Sequence, residues 1–240
     1  MKTKTSNTIK RAVDVILTIL LLFLTAYQVT GEMLHEWFGI AMTVLLIVHH
    51  VQNRKWYGAL FKGKYNPYRI TLTALNTLLL LSIAMTALSG MSMSCHAVPF
   101  MYGFIDVMTA RRLHLAVSYW TFIFMGVHIG LHIRTMTAKL GEKKTMILNI
   151  VFTILSGAGL CLFLRAGIVN YILFRTHFAF LDYETPKWLV IFENLAMLLF
   201  WALIGYTAAL ISQKKGEKYT AKPLLLPTAA VFIGVLLYLA

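Results

Sequence analysis

Apolar runs of about 20 residues, separated by short polar or basic segments, follow one another along the whole chain. They fall near residues 12–30, 33–51, 70–91, 113–133, 145–164, 188–211 and 223–240. At about 1.5 Å of rise per residue, such a run crosses the roughly 30 Å of bilayer hydrocarbon, so each predicts a spanning helix. The first run, behind the basic stretch 1–11, also fits a signal peptide. It is about 19 residues long and no small-residue cleavage site follows Leu24, so it is read as a helix that stays in the chain. The seventh run opens with Pro223 and Pro227. No Ser-, Pro- or Gly-rich linker sets off a soluble domain. The expected fold is therefore all-α and polytopic. A four-helix transmembrane bundle occupies residues 1–136, and two or three accessory transmembrane helices occupy 137–240.

Composition supports this pattern and excludes two other classes. With 59% hydrophobic residues, 13% charged residues and a mean hydropathy of +0.72, a soluble chain could not cover its surface with polar groups. Abundant apolar and aromatic residues exclude disorder. A net charge of +13 could point to nucleic acid, but its placement points to topology and a lipid partner instead. The N-terminus and the connections 52–69, 134–144 and 212–222 hold 17 of the 22 Lys and Arg residues. Basic connections stay on the cytoplasmic side, so the N-terminus is expected inside, in a multi-pass inner-membrane topology. Cys95 and Cys161 have neither CxxC nor CxxCH spacing, which argues against an iron–sulfur site and against covalent haem attachment.

The chemistry lies in the histidines. The second and fourth runs carry His35, His49, His50, His114, His128 and His132, within them or at their ends. Histidine inside a membrane is tolerated where it faces the bundle interior and has a partner. His35 and His49 are 14 residues apart, as are His114 and His128, which is about 21 Å along a helix. Fourteen residues are two heptads, so in left-handed bundle packing each pair returns to one face. Both helices are expected to run from outside to inside, which sets His35 level with His114 and His49 level with His128. That register meets twice the requirement for two imidazoles on one haem iron. A zinc site, by contrast, gathers its ligands around one point.

At the inner pair two alternatives stay open. His50 misses the register by one residue, and His132 lies one turn below His128, where it would otherwise meet a propionate, a water or a quinone. Arg111 and Arg112 stand just above His114, where outer haem propionates would lie. Asn53, Arg54, Lys55 and Arg134 are placed similarly at the inner face, where topological anchoring is the simpler reading. Gly39, Ser118, Gly126 and Gly130 either admit the flat macrocycle or mediate ordinary helix packing. The aromatic-rich outer connection 165–187 reads as an interfacial segment or as a cover over the bundle.

The stretches LHEWFGIAMTVLLIVHH (34–50), NRKWYGALFKGKYNPYR (53–69), ARRLHLAVSYW (110–120) and HIGLHIR (128–134) resemble the flavinylation-associated cytochromes of bacteria. That family lies near the ferric reductase transmembrane group and shares the 14-residue histidine pattern with respiratory cytochrome b. The resemblance extends over roughly residues 10–210. It implies a cytochrome of the bacterial cytoplasmic membrane with two b-type haems, held by His35, His49, His114 and His128. Electrons would enter from a membrane quinone pool or a cytosolic reductase and leave to an extracytosolic flavin-bearing protein. No flavin or nicotinamide domain follows the last run, unlike ferric reductases with a fused dehydrogenase. Direct reduction of quinone or ferric iron by the chain itself is a variant of this expectation. The competing class is a haem-free transporter or channel with an intramembrane histidine proton relay, for which Asp14 and Glu193 are the candidate partners. No internal repeat supports it.

Overall fold

The computed structural model describes the backbone of residues 2–137, 142–212 and 222–239, and the side chains of 8–133, 143–212 and 225–239. Among these residues the chain is all-α, with no strand. The helices are α1 (Lys2–Thr25), α2 (Tyr27–Gln52), α3 (Lys55–Ala59), α4 (Pro67–Met91), α5 (Val107–Thr137), α6 (Glu142–Arg165), α7 (Ile168–Ile172), α8 (Lys187–Ser212) and α9 (Lys222–Leu239), with a 3-10 turn at Pro99–Met101. Five of them, α2, α4, α5, α6 and α8, are long and apolar enough to cross a membrane. By helix length and composition the chain is a multi-pass membrane protein. Exposed apolar side chains such as Val44, Ile47, Leu81, Ile150 and Ile154 suit a lipid surroundings rather than water.

Two of the seven expected spans differ. The first was expected to reach residue 30, but α1 ends at Thr25. Residues 27–30 form a single turn, and Gly31 adopts φ 67° and ψ 176°, a conformation open essentially to glycine, before the long part of α2 begins. Lys10, Arg11 and Asp14 lie within α1, which leaves only residues 15–25, about 16 Å of helix, free of charge. The described apolar part of α9, Leu225–Leu239, is likewise shorter than a full span. It still reaches the far end of α6, where the Arg165 guanidinium donates to the Leu237 carbonyl over 2.8 Å. Lys139, Lys214, Lys215 and Lys218, which carry part of the charge pattern, lie outside the described residues.

Two antiparallel hairpins frame the interior. In the first, α1 lies along α2, with Phe23 against Phe38 at 5.9 Å and Lys10 donating to Asn53 at 3.4 Å. In the second, α4 lies along α5, joined by Thr86 and Thr121 at 3.2 Å near one end and by Tyr68 to the Leu131 carbonyl at 3.4 Å near the other. Asn66 accepts from the Arg69 amide and Pro67 occupies the first turn, which starts α4 sharply. Helix α8 packs closely along α5 through small residues. A Cβ built on Gly130 would fall 2.0 Å from the Ala202 carbonyl oxygen, and one on Gly205 would fall 2.1 Å from that of Val127. By contrast, the backbones of α2 and α5 scarcely touch. The space between these two histidine-bearing helices is where the candidate site lies.

Candidate functional site

At the end called outer after the charge pattern, α2 and α5 bring His35 and His114 together. Their rings stand 6.0 Å apart between centroids, at 76° to one another. Imidazole nitrogens bind transition-metal ions at about 2 Å, so two rings on opposite sides of one ion have centroids roughly 6 Å apart. The pair already stands at that spacing. Each ring is also held by its own hairpin. The Nδ1–H of His114 donates to the Thr86 carbonyl over 3.0 Å, which leaves the Nε2 lone pair available. Gly90 makes that approach feasible, because a Cβ there would sit 3.0 Å from Cε1 of His114. His35 packs edge-on against Tyr27 at 5.1 Å, and its Nδ1 is buried with no hydrogen-bond partner. The Leu24 carbonyl offers the ring one hydrogen bond, so one of its two nitrogens is left without a protein partner.

Both rings open into a cavity of about 620 Å³, within the roughly 300–1,000 Å³ of small-molecule and cofactor pockets. Gly39, one turn after His35, lines it and has nothing within 4 Å of where a Cβ would be. Ser118, one turn after His114, lines it too. The connection 165–187 is a cover rather than only an interfacial strip, since Phe178, Leu181 and Tyr183 reach the same cavity. Its end is folded by Asp182, which accepts from the Thr185 hydroxyl at 2.7 Å and the Glu184 amide at 2.9 Å. These bonds, that of Thr185 foremost, hold the Asp182 carboxyl below the usual carboxylate range. Arg111 lines the cavity and stacks 5.8 Å over Phe178, whereas Arg112 is not part of the lining.

Glu36 closes the other side. Its carboxylate accepts from the Ser94 hydroxyl at 2.7 Å and from the amides of Cys95, His96 and Ala97 at 3.1, 2.8 and 2.8 Å. This pins the α4–α5 connection over the pocket mouth. His96 is held at that loop and faces Glu32 at 4.0 Å, and it is not among the residues lining the cavity.

At the inner end the histidines are placed differently. The Nδ1–H of His49 donates to Asp14 on α1 over 2.8 Å, and that of His128 donates to Asn76 on α4 over 2.9 Å. His50 turns to Tyr57 on α3, with Nδ1 and the hydroxyl 2.7 Å apart. His132 is exposed, 4.7 Å between centroids from His128 on its own helix. Among the described residues there is no ring contact between His49 and His128. The outer pair is thus brought together directly, while each inner histidine is anchored to its own hairpin. Gly126 and Gly130, which flank His128, are filled by α8 and serve helix packing rather than room beside the ring. The side chain of Arg134 lies outside the described residues.

Four residues of this arrangement escaped the sequence reading: Thr86, Gly90, Asn76 and, as a loop clamp, Glu36. Asn76 had a usable signal, being a lone amide within the apolar run 70–91. Thr86 acts through its backbone and leaves no trace in residue type. No protein-family model, no curated protein and no solved structure matches the chain.

Proposed function

We propose that the chain is a membrane cytochrome holding two b-type haems, one between His35 and His114 and one between His49 and His128, and that it carries electrons across the bilayer. The observation that carries the reading is the outer pair: two histidines on different helices, with matched 14-residue partners, meet at 6.0 Å beside a cavity of cofactor size. A haem iron between two imidazoles takes up and releases one electron. The residues of the chain would hold and insulate it. His114 and His128 have their Nδ1–H bonds fixed on Thr86 and Asn76, which sets the tautomer that leaves Nε2 free. Arg111, the arginine that lines the outer cavity, would meet the propionates. Phe178, Leu181 and Tyr183 of the aromatic connection partly cover the outer pocket. Its outer position suits delivery to an extracytosolic flavin-bearing protein, and the inner end suits uptake from a membrane quinol or a cytosolic reductase.

In vesicles carrying the haem-loaded chain, a membrane-impermeant reductant outside is expected to reduce ferricyanide trapped inside. Vesicles with the His35→Ala variant should fail to do so. Trapped ferricyanide that stays oxidised in the loaded wild type would defeat the conduit reading. Adding ferric iron or quinone in place of a flavoprotein separates direct reduction from delivery to a partner.

Gly90→Ala probes the outer site gently. A helix-interior Gly→Ala gains about 1 kcal/mol of propensity, while overpacking costs about 1–3 kcal/mol, so stability is expected to change little. The added Cβ must push the His114 ring by a few tenths of an ångström. The haem b absorption of the outer site is therefore expected to shift or weaken while that of the inner site stays, as read by low-temperature difference spectra.

A further inference from the structure

We propose that Asp14 is a positioning residue that makes the inner haem the more reducing of the two, so that the order of potentials favours electron flow toward the His35–His114 end. This inference rests on the dihaem reading above. The partners of the four imidazoles are unequal. His114 donates to a backbone carbonyl and His128 to a neutral amide, and the ring of His35 has the Leu24 carbonyl but no hydrogen-bonded carboxylate. His49 alone donates to a carboxylate, over 2.8 Å, and the Asn53 amide nitrogen, 3.4 Å from its Nε2, would give way to the iron. A carboxylate draws the Nδ1 proton toward itself and leaves more electron density on Nε2. A ligand richer in electrons stabilises the ferric over the ferrous state, which lowers the potential.

No carboxylate plays this part at the outer pair. Glu36, next in sequence to His35, spends its oxygens on Ser94 and the amides of residues 95–97. Glu32 faces His96. Cations near the inner face act in the opposite sense. Arg11, Arg54 and Lys55 are exposed, where water and salt screen them, and Lys10 is turned to Asn53. Asp14 is half-exposed as well, but it touches the ring directly where the cations do not, so its effect is the larger. The arrangement also gives an ionisable residue of α1 a partner on α2, the neighbouring helix of its own hairpin.

The test is potentiometry of the haem-loaded full chain, followed by haem b absorption. The wild type is expected to give two one-electron midpoints. Asp14→Asn should raise the lower one by about tenfold in its equilibrium constant, about 59 mV, and leave the upper one in place. Asp14→Glu, which keeps a carboxylate, should restore most of the difference. Asn76→Asp provides a second reading in a chain whose Asp14 is intact, because a carboxylate on His128 should push the lower midpoint down further. Two bound haems with midpoints unmoved by both Asp14→Asn and Asn76→Asp would overturn this inference alone. A haem-free wild type would overturn the dihaem reading and this inference with it.

Discussion

In His114→Ala, haem content is expected to fall from two per chain to one, with the loss confined to the outer site. His114 carries the outer pair more fully than His35, because its ring is fixed by Thr86, allowed in by Gly90 and aimed at the His35 ring across 6.0 Å. Alanine removes the ligand and leaves the opposite imidazole with a single-sided grip. His114→Met guards against a misfolded variant. Methionine is a known axial ligand of haem iron that raises the potential, so this variant should keep two haems with the outer one altered in spectrum and shifted upward. His35→Ala should repeat the first result. At the inner end, His49→Ala and His128→Ala are expected to lose the other haem. Full haem content in His128→Ala together with loss in His132→Ala would move the inner ligand to His132. The corresponding result in His49→Ala and His50→Ala would move the α2 ligand to His50.

Gly130→Ala is expected to be the most destabilising single-methyl change in the described chain's α5–α8 seam. The added Cβ would meet the Ala202 carbonyl oxygen at 2.0 Å and the Tyr206 amide nitrogen at 2.7 Å. Both are backbone atoms of α8, so neither can swing aside as a side chain does, and the two helices must part. A backbone clash this close puts the overpacking at the upper end of about 1–3 kcal/mol, against a gain of about 1 kcal/mol in helix propensity, so the net loss is about 2 kcal/mol. For a chain of this length that corresponds to a fall in Tm of roughly 4–8 °C. Gly39→Ala is the control, since nothing lies within 4 Å of its added Cβ. It should leave Tm unchanged or raised while crowding the outer cavity. Thermal unfolding in detergent compares the two, and equal midpoints in both variants would remove the seam from the account.

The contrast between these two glycines also marks how far the sequence could be read. Gly39 and Gly130 both lie close to candidate histidines, and residue type alone cannot say which opens a pocket and which closes a helix contact. That depends on α8, whose approach to α5 is set by Leu198, Ala202 and Gly205 some 70 residues further along. Hydrophobic length, by contrast, is a local property. The runs at 70–91, 113–133, 145–164 and 188–211 therefore coincide with α4, α5, α6 and α8 within a few residues. At residues 26–31 the break fell where two runs meet, but the first helix ends at Thr25, five residues earlier than its run, and a turn precedes Gly31. The meeting of His35 with His114 was legible because it follows from helix period and direction. The Glu36 clamp was not, because its partners are backbone amides of a loop. At the inner end, register named His49 and His128. Their bonds to Asp14 and Asn76 depend on which neighbouring helix each ring meets.

The most direct measurement is the ratio of haem to chain in protein purified from haem-replete cells, read from the reduced-minus-oxidised spectrum. Two b-type haems per chain, falling to one in His35→Ala and in His114→Ala, is the predicted result. A colourless wild type that folds and inserts normally would contradict the account.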